Sequence, residues 1–216
     1  MKFKSLLFTI ALFSVLSCSK QSNLTDSETA ILTKIKFDND VASELKTETK
    51  NVILQLPAID KKTSEVLTNE TFEGIYSQAT KDNAESIVRN LKPGLKKKGY
   101  LIFYSENEKG YFVAIIKGTD DLDILKYRKS NGINYGLEND DIIKKMEEWQ
   151  TKYGISVIGC ELDYVHIDFD KLPENMDEFA KEVYKFCPDS VDQGVGNIES
   201  LKEYIQQEKG IFLWWD

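Results

Sequence analysis

The residue types that most often carry chemistry are scarce in this sequence. Among 216 residues there is a single histidine, His166, and only three cysteines, Cys18, Cys160 and Cys187. No CxxC or other metal-ligand spacing occurs, which argues against a bound metal. Basic charge is short as well: 28 lysines and arginines face 36 acids, a net charge of −8. Such a surface repels phosphate backbones, so nucleic acid is not expected as a partner. The one local basic cluster, LKPGLKKKG at 91–99, reads as the solvated end of a helix, where lysines favour the C-terminal dipole. The GxG in DQGVGN lacks the further glycine and the lysine of a phosphate loop, and no strand precedes it. No loop has calcium-ligand spacing, no internal repeat is visible, and no cofactor is implied.

Long apolar runs are missing too. A bilayer-spanning helix needs about twenty apolar residues, and the run at 6–16 is too short. With Lys2 and Lys4 before it, this run has the build of a signal peptide. Val15, Leu16, Ser17 and Cys18 then resemble a bacterial lipobox, in which the chain is cut before a cysteine that becomes lipidated. The alternative is an ordinary secretory peptide with an incidental cysteine. The expected organisation is a lipoprotein signal peptide at 1–17 and a lipidated Cys18 with a flexible polar spacer at 18–30. An N-terminal extension at 31–80 would follow, then a folded domain at 81–216. Two or three acyl chains hold a protein on a membrane where one does not, at roughly 0.8 kcal/mol per buried methylene. The expected location is therefore the bacterial cell envelope, outside the cytoplasm. Ser19 in place of an aspartate leans towards the outer membrane.

Hydrophobic patterning is clearest in the second half. Asp82 and Glu85 resemble a capping box before a helix carrying Ile87, Val88 and Leu91, which Pro93 and Gly94 should end or kink. The apolar runs at 100–104 and 111–116 predict a hairpin. Asp120 and Asp121 open a short helix, and Ile142, Ile143, Met146 and Trp149 line a longer one that Gly154 ends. Strands are expected at 155–159 and 164–169, with Val165, Ile167 and Phe169 on one side and Tyr164, His166 and Asp168 on the other. Pro173 marks the start of a helix with Phe179, Val183 and Phe186 on its buried face. A last helix carries Ile198, Leu201 and Ile205, and a closing strand runs over 211–215. Upstream, 52–56 has strand character and stops at Pro57, and Phe72, Ile75 and Tyr76 could cover a sheet edge. The fold class is α+β, a mixed sheet with helices packed on it in one compact domain.

Five segments carry a family resemblance: GYLIFYSE, DLDILKYRKSNGINYGL, YGISVIG after the Trp149 helix, FAKEVYKFCPDSVDQGVGNIESL, and the terminal LWWD. In order and spacing, residues from about 91 to 216 resemble the bacterial domain-of-unknown-function family DUF4253. The resemblance implies a compact α+β domain ending at the C-terminus. It implies no activity, substrate or catalytic residue.

Candidate chemistry is therefore weighed on the residues themselves. Cys160 and Cys187 form an even pair in an exported chain, where a disulfide can persist, but two small buried side chains are the simpler reading. A Cys187–His166 hydrolase, with Asp168 orienting the ring, has the right residue types and needs them in contact. Glu161, Asp163, Asp168 and Asp170 read as a solvated acidic strand edge. In the segment FCPDSVDQGVGNIESL, Pro188 stops a helix, Gly194 and Gly196 permit positive φ, and Asn197 caps the next helix. Asp192 and Gln193 are left without a structural task. Asn134 and Tyr135 exceed what a turn needs, and of the adjacent Trp214 and Trp215 only one can be core. These six residues form the expected ligand or partner surface. The preferred function is a non-enzymatic binding module for an unknown protein or small molecule, with toxin neutralisation as one version, since acidity steers basic partners.

Overall fold

A capping box opens the first helix. Thr25 accepts from the Glu28 amide, and the Glu28 carboxylate accepts from the Thr25 amide at 2.6 Å. In the computed structural model, which describes residues 23–216, this starts α1 (Asp26–Lys34). The expected signal peptide, Cys18 and the first spacer residues lie outside the described residues. The rest of the expected spacer does not extend to residue 30, because this cap makes 26–30 helical. Glu28 also accepts from the Ile53 amide at 2.8 Å and from Lys46 at 2.5 Å. One carboxylate thereby ties α1 to α2 (Asn39–Thr49) and to the chain entering β1 (Leu54–Ile59).

The strand β1 does not stop at Pro57. It is an edge strand, and its register against β2 (Val66–Gln78) shifts on both sides of the proline, where a missing N–H is tolerated. The helix α3 (Lys81–Lys97) likewise runs through Pro93. Its N-cap is Thr80, reciprocated by Asn83, whereas Glu85 pairs with Arg89 at 2.7 Å. Beyond the proline, Leu95 is buried and Lys96 grips Asp121, as Lys92 does from just before it. That grip holds the last turn in place, so Lys92 is buried rather than solvated.

The hairpin β3 (Tyr100–Asn107) and β4 (Gly110–Lys117) forms as the apolar runs predict, followed by α4 (Leu122–Arg128) and α5 (Asn139–Tyr153). Next come β5 (Ile155–Cys160), β6 (Tyr164–Phe169), α6 (Met176–Phe186), α7 (Ile198–Glu208) and β7 (Gly210–Trp214). Helix α6 begins three residues after Pro173, with the Asn175 side chain accepting from the Glu178 amide. Between α6 and α7 the chain makes a π-helical turn over Ser190–Val195. Gly196 has φ +88°, Gly194 lies within the π turn without positive φ, and Asn197 caps α7 by accepting from Ser200 at 2.9 Å.

All seven strands join one mixed sheet of order β1-β2-β4-β3-β5-β6-β7, with β3 and β5 parallel and the other neighbours antiparallel. The fold is α+β. Alternation sends Leu101, Phe103, Val165, Ile167 and Leu213 to a front core under α4, α5, α6 and α7. Ile102, Tyr104, Val113, Ile115 and Tyr164 face a rear core built with α1, α2 and α3. Residues 31–80 are thus part of the sheet and of the rear core, since β2 pairs directly with β4.

Candidate functional site

The three candidate catalytic residues do not meet. Cys187 caps the end of α6 in the front core, fully buried, with its sulfur 3.0 Å from both Ser190 Oγ and the Trp214 carbonyl. Burial pushes its thiol pKa up, against the Ser190 contact, which makes it a poor nucleophile. His166 points to the rear, its Nδ1 2.6 Å from the Tyr104 hydroxyl. Burial holds its pKa down at about 4, with Glu85 opposing and Arg89 reinforcing. Asp168, two residues on, pairs with Arg89. Cys160 is also free and buried, 3.0 Å from Ser130 Oγ, its thiol pushed up to about 12 by burial. The two cysteines pack separately and form no disulfide.

The expected partner surface divides in two. Tyr135 donates to Asp189 Oδ1 at 2.6 Å, Gln193 donates to the same oxygen at 3.0 Å, and the Asp216 amide donates to Asp189 Oδ2 at 2.9 Å. Asp189, only 3% exposed, is the residue that sequence reasoning missed. Its position four residues before Gln193 on one helical turn was the available signal. Burial opposes its ionisation, but these donors hold its carboxyl below the usual range. Trp215 is buried beside it, donating to the Phe186 carbonyl at 3.2 Å and lying over Gly132. A Cβ at Gly132 would stand 2.9 Å from the indole ring, so the glycine makes this approach possible. Tyr135, Gln193 and Trp215 therefore clamp the 132–136 loop and the C-terminal residues onto the π turn. Asp192 turns away and accepts from Tyr184 at 3.3 Å, and Asn134 is exposed on the loop. Trp214, half-buried, faces the rear.

Two hollows open at one end of the sheet. The front hollow, about 320 Å³, lies between the β1–β2 hairpin and α4, walled by Pro57, Ile59, Tyr76, Phe112, Tyr127 and Arg128. Tyr127 donates to the Pro57 carbonyl at 2.9 Å, and its ring lies 4.5 Å from that of Phe72, which holds the hairpin against α4. The rear hollow, about 530 Å³, is lined by Tyr164, Phe212 and Trp214 with Glu106, Glu161 and Asp163. Glu106, Asn107 and Glu161 border both. These three residues sit at the carboxyl ends of β3 and β5, the only parallel neighbours among the described strands. Glu161 is fixed there by Arg128, and Ser130 donates to the Glu161 backbone carbonyl. Asn139 in turn donates to the Ser130 carbonyl at 2.9 Å. The acids at 161 and 163 thus form a cavity rim, where alternation alone indicated a solvated edge. Among the described residues no cluster of three His, Cys, Asp or Glu side chains is arranged to hold a metal ion.

The family model described as Domain of unknown function (DUF4253) matches residues 112–216. The match runs from within β4 to the C-terminal residue and includes Tyr127, Arg128, Glu161, Asp163, Phe212 and Trp214 of the two hollows. The segment GYLIFYSE and the β1–β2 hairpin lie outside it, so each hollow combines matched and unmatched parts of the chain. No curated protein and no solved structure matches this sequence.

Proposed function

We propose that this protein is a binding domain held on the bacterial cell envelope by lipid on Cys18, and that it binds its ligand or partner in the paired hollows. The observation that carries the binding reading is the meeting of both hollows at Glu106, Asn107 and Glu161, over the carboxyl ends of β3 and β5. In open sheets with parallel strands, ligands favour the crevice at the strands' carboxyl ends, where the loops diverge. The lining also suits recognition. Apolar and aromatic walls with a few fixed polar groups are the usual make-up of a ligand site, and both volumes fall in or near the usual range of about 300–1,000 Å³. Neither buried cysteine opens on these hollows, and a nucleophile at 187 has no histidine within reach, which favours binding over hydrolysis.

A fragment screen by NMR tests the site. Neutral, acidic and basic fragments are titrated into the isotopically labelled chain, and shifts are expected to gather on Tyr127, Glu161 and Trp214. Shifts gathering instead around Cys187 or His166, or none at the hollows, would remove the proposal. The anchor has its own test. Cys18→Ala is expected to move the protein from the membrane to the soluble fraction, because losing two or three acyl chains removes the tether. Unchanged fractionation refutes lipidation.

A further inference from the structure

Among the described residues, the rear hollow differs from the front one in its charge. Three carboxylates line each hollow, but Arg128 lies in the front one, whereas no lysine or arginine lines the rear one. Glu161 is offset by Arg128, whereas Glu106 and Asp163 belong to no ion pair among the described residues. Three aromatic rings line the same space. Tyr164 and Phe212 pack with centroids 4.9 Å apart, Phe212 is 36% exposed, and Trp214 is half-buried beside them. Helix α3 packs over β3, β4 and β5, whereas Phe212 of β7 is exposed. A second, independent observation comes from Tyr164. Its side chain lines the hollow and the residue is only 6% exposed, yet its hydroxyl has no hydrogen-bond partner. Burial raises its pKa, so it stays a neutral phenol beside the hollow. A buried polar atom is normally satisfied.

We infer that the rear hollow is a receptor for an arginine or lysine side chain presented by a basic segment of a partner protein. This rests on the binding reading above and specifies its occupant. An anion would meet three carboxylates. An apolar ligand would desolvate Glu106 and Asp163 without pairing them. A cation suits this lining: its charge lies against the aromatic faces and its N–H groups pair with the carboxylates. A bare metal ion is disfavoured because the carboxylates do not converge as a ligand set. The open hollow admits a side chain carried on a protein surface, and the adjoining front hollow offers space for a neighbouring residue of the same segment. A net charge of −8 draws a basic partner in over distance.

Tryptophan side-chain signals provide the test. The indole N–H groups of Trp149 and Trp215 are bonded internally, to Glu182 at 2.9 Å and to the Phe186 carbonyl at 3.2 Å, so only Trp214 should respond. Titrating the full chain with acetyl-Ala-Arg-Arg-Ala-amide is expected to shift the Trp214 indole signal saturably. Asp163→Asn and Glu106→Gln should each weaken binding about threefold to tenfold, and raised salt should weaken it further. The unmoved Trp149 and Trp215 signals confirm that each variant is folded. An equal shift with acetyl-Ala-Glu-Glu-Ala-amide, or unchanged affinity in both variants, overturns the inference. Argininamide binding as tightly as the peptide overturns the protein partner in favour of a small cation. If the arginine peptide fails while neutral fragments still gather at the hollows, this inference alone falls. If nothing binds there, the binding site itself falls.

Discussion

At Gly159 a missing methyl group decides how the rear of the sheet is built. A Cβ there would stand 2.3 Å from Tyr104 Cζ, so the glycine lets the Tyr104 ring lie across β5 and reach His166. Gly159→Ala is expected to lower stability by about 1–3 kcal/mol, as overpacking of a close contact does. Chemical denaturation measures the loss, and an altered His166 ring signal places it. His166 itself sets a pH dependence. Its pKa in the folded chain is about 4, below an ordinary histidine value of 6.5. Between those values the unfolded chain binds the extra proton, so stability falls as pH drops through that window, by roughly 3 kcal/mol. Glu28 works lower down. Burial would raise its pKa, but Lys46 and the Thr25 and Ile53 amides hold it at about 2, so its contribution is lost between about 4.5 and 2. Melting temperatures across pH 2–7 should show both steps, and His166→Gln should remove the upper one alone.

Among the elements, α3 and α4 are joined by charge at an otherwise apolar layer boundary. Asp121, fully buried at the start of α4, receives Lys92 and Lys96, and Lys92 also donates to the Val157 carbonyl at 2.7 Å. Breaking one side of such a group leaves a buried charge uncompensated. Asp121→Asn is therefore expected to cost about 3–5 kcal/mol in urea unfolding, and Lys96→Met much less, since Lys96 is half-exposed. The same pair explains why α3 defeats its own proline. Pro93 is a local signal, and the grip of Asp121 on Lys92 and Lys96, one on either side of it, joins residues 29 and 25 positions apart. Where a local pattern suffices, as in the alternation of 164–169 or the Asn197 cap, the element is legible in sequence. The Thr25–Glu28 box was legible in principle but lay in a polar stretch without apolar periodicity. The hollows were not legible, because their walls come from residues as far apart as Pro57, Glu106 and Trp214. Trp214 was found through its adjacency to Trp215, whereas Glu106 and Arg128 take their meaning only from tertiary neighbours.

The whole molecule places a limit on how the family match can be read as a folding unit. The matched residues 112–216 supply part of β4, all of β5, β6 and β7, and the four helices of the front core. They omit β2 and β3, which flank β4 on both sides, and β3 is also the parallel partner of β5. They omit α1, α2 and α3 as well, so Val113, Ile115, Ile158 and Tyr164 would face water on the rear. Exposed strand edges and an uncovered apolar face favour association over folding. The isolated segment 112–216 is expected to give a poorly dispersed amide spectrum and to aggregate, whereas residues 23–216 should give sharp, dispersed signals and unfold in one cooperative step. A folded, monomeric 112–216 segment would show instead that the N-terminal half is an addition to a finished domain. The rear hollow would then lose Glu106 without losing Trp214, and the arginine-peptide titration of that segment would isolate what Asp163 and the aromatic rings contribute by themselves.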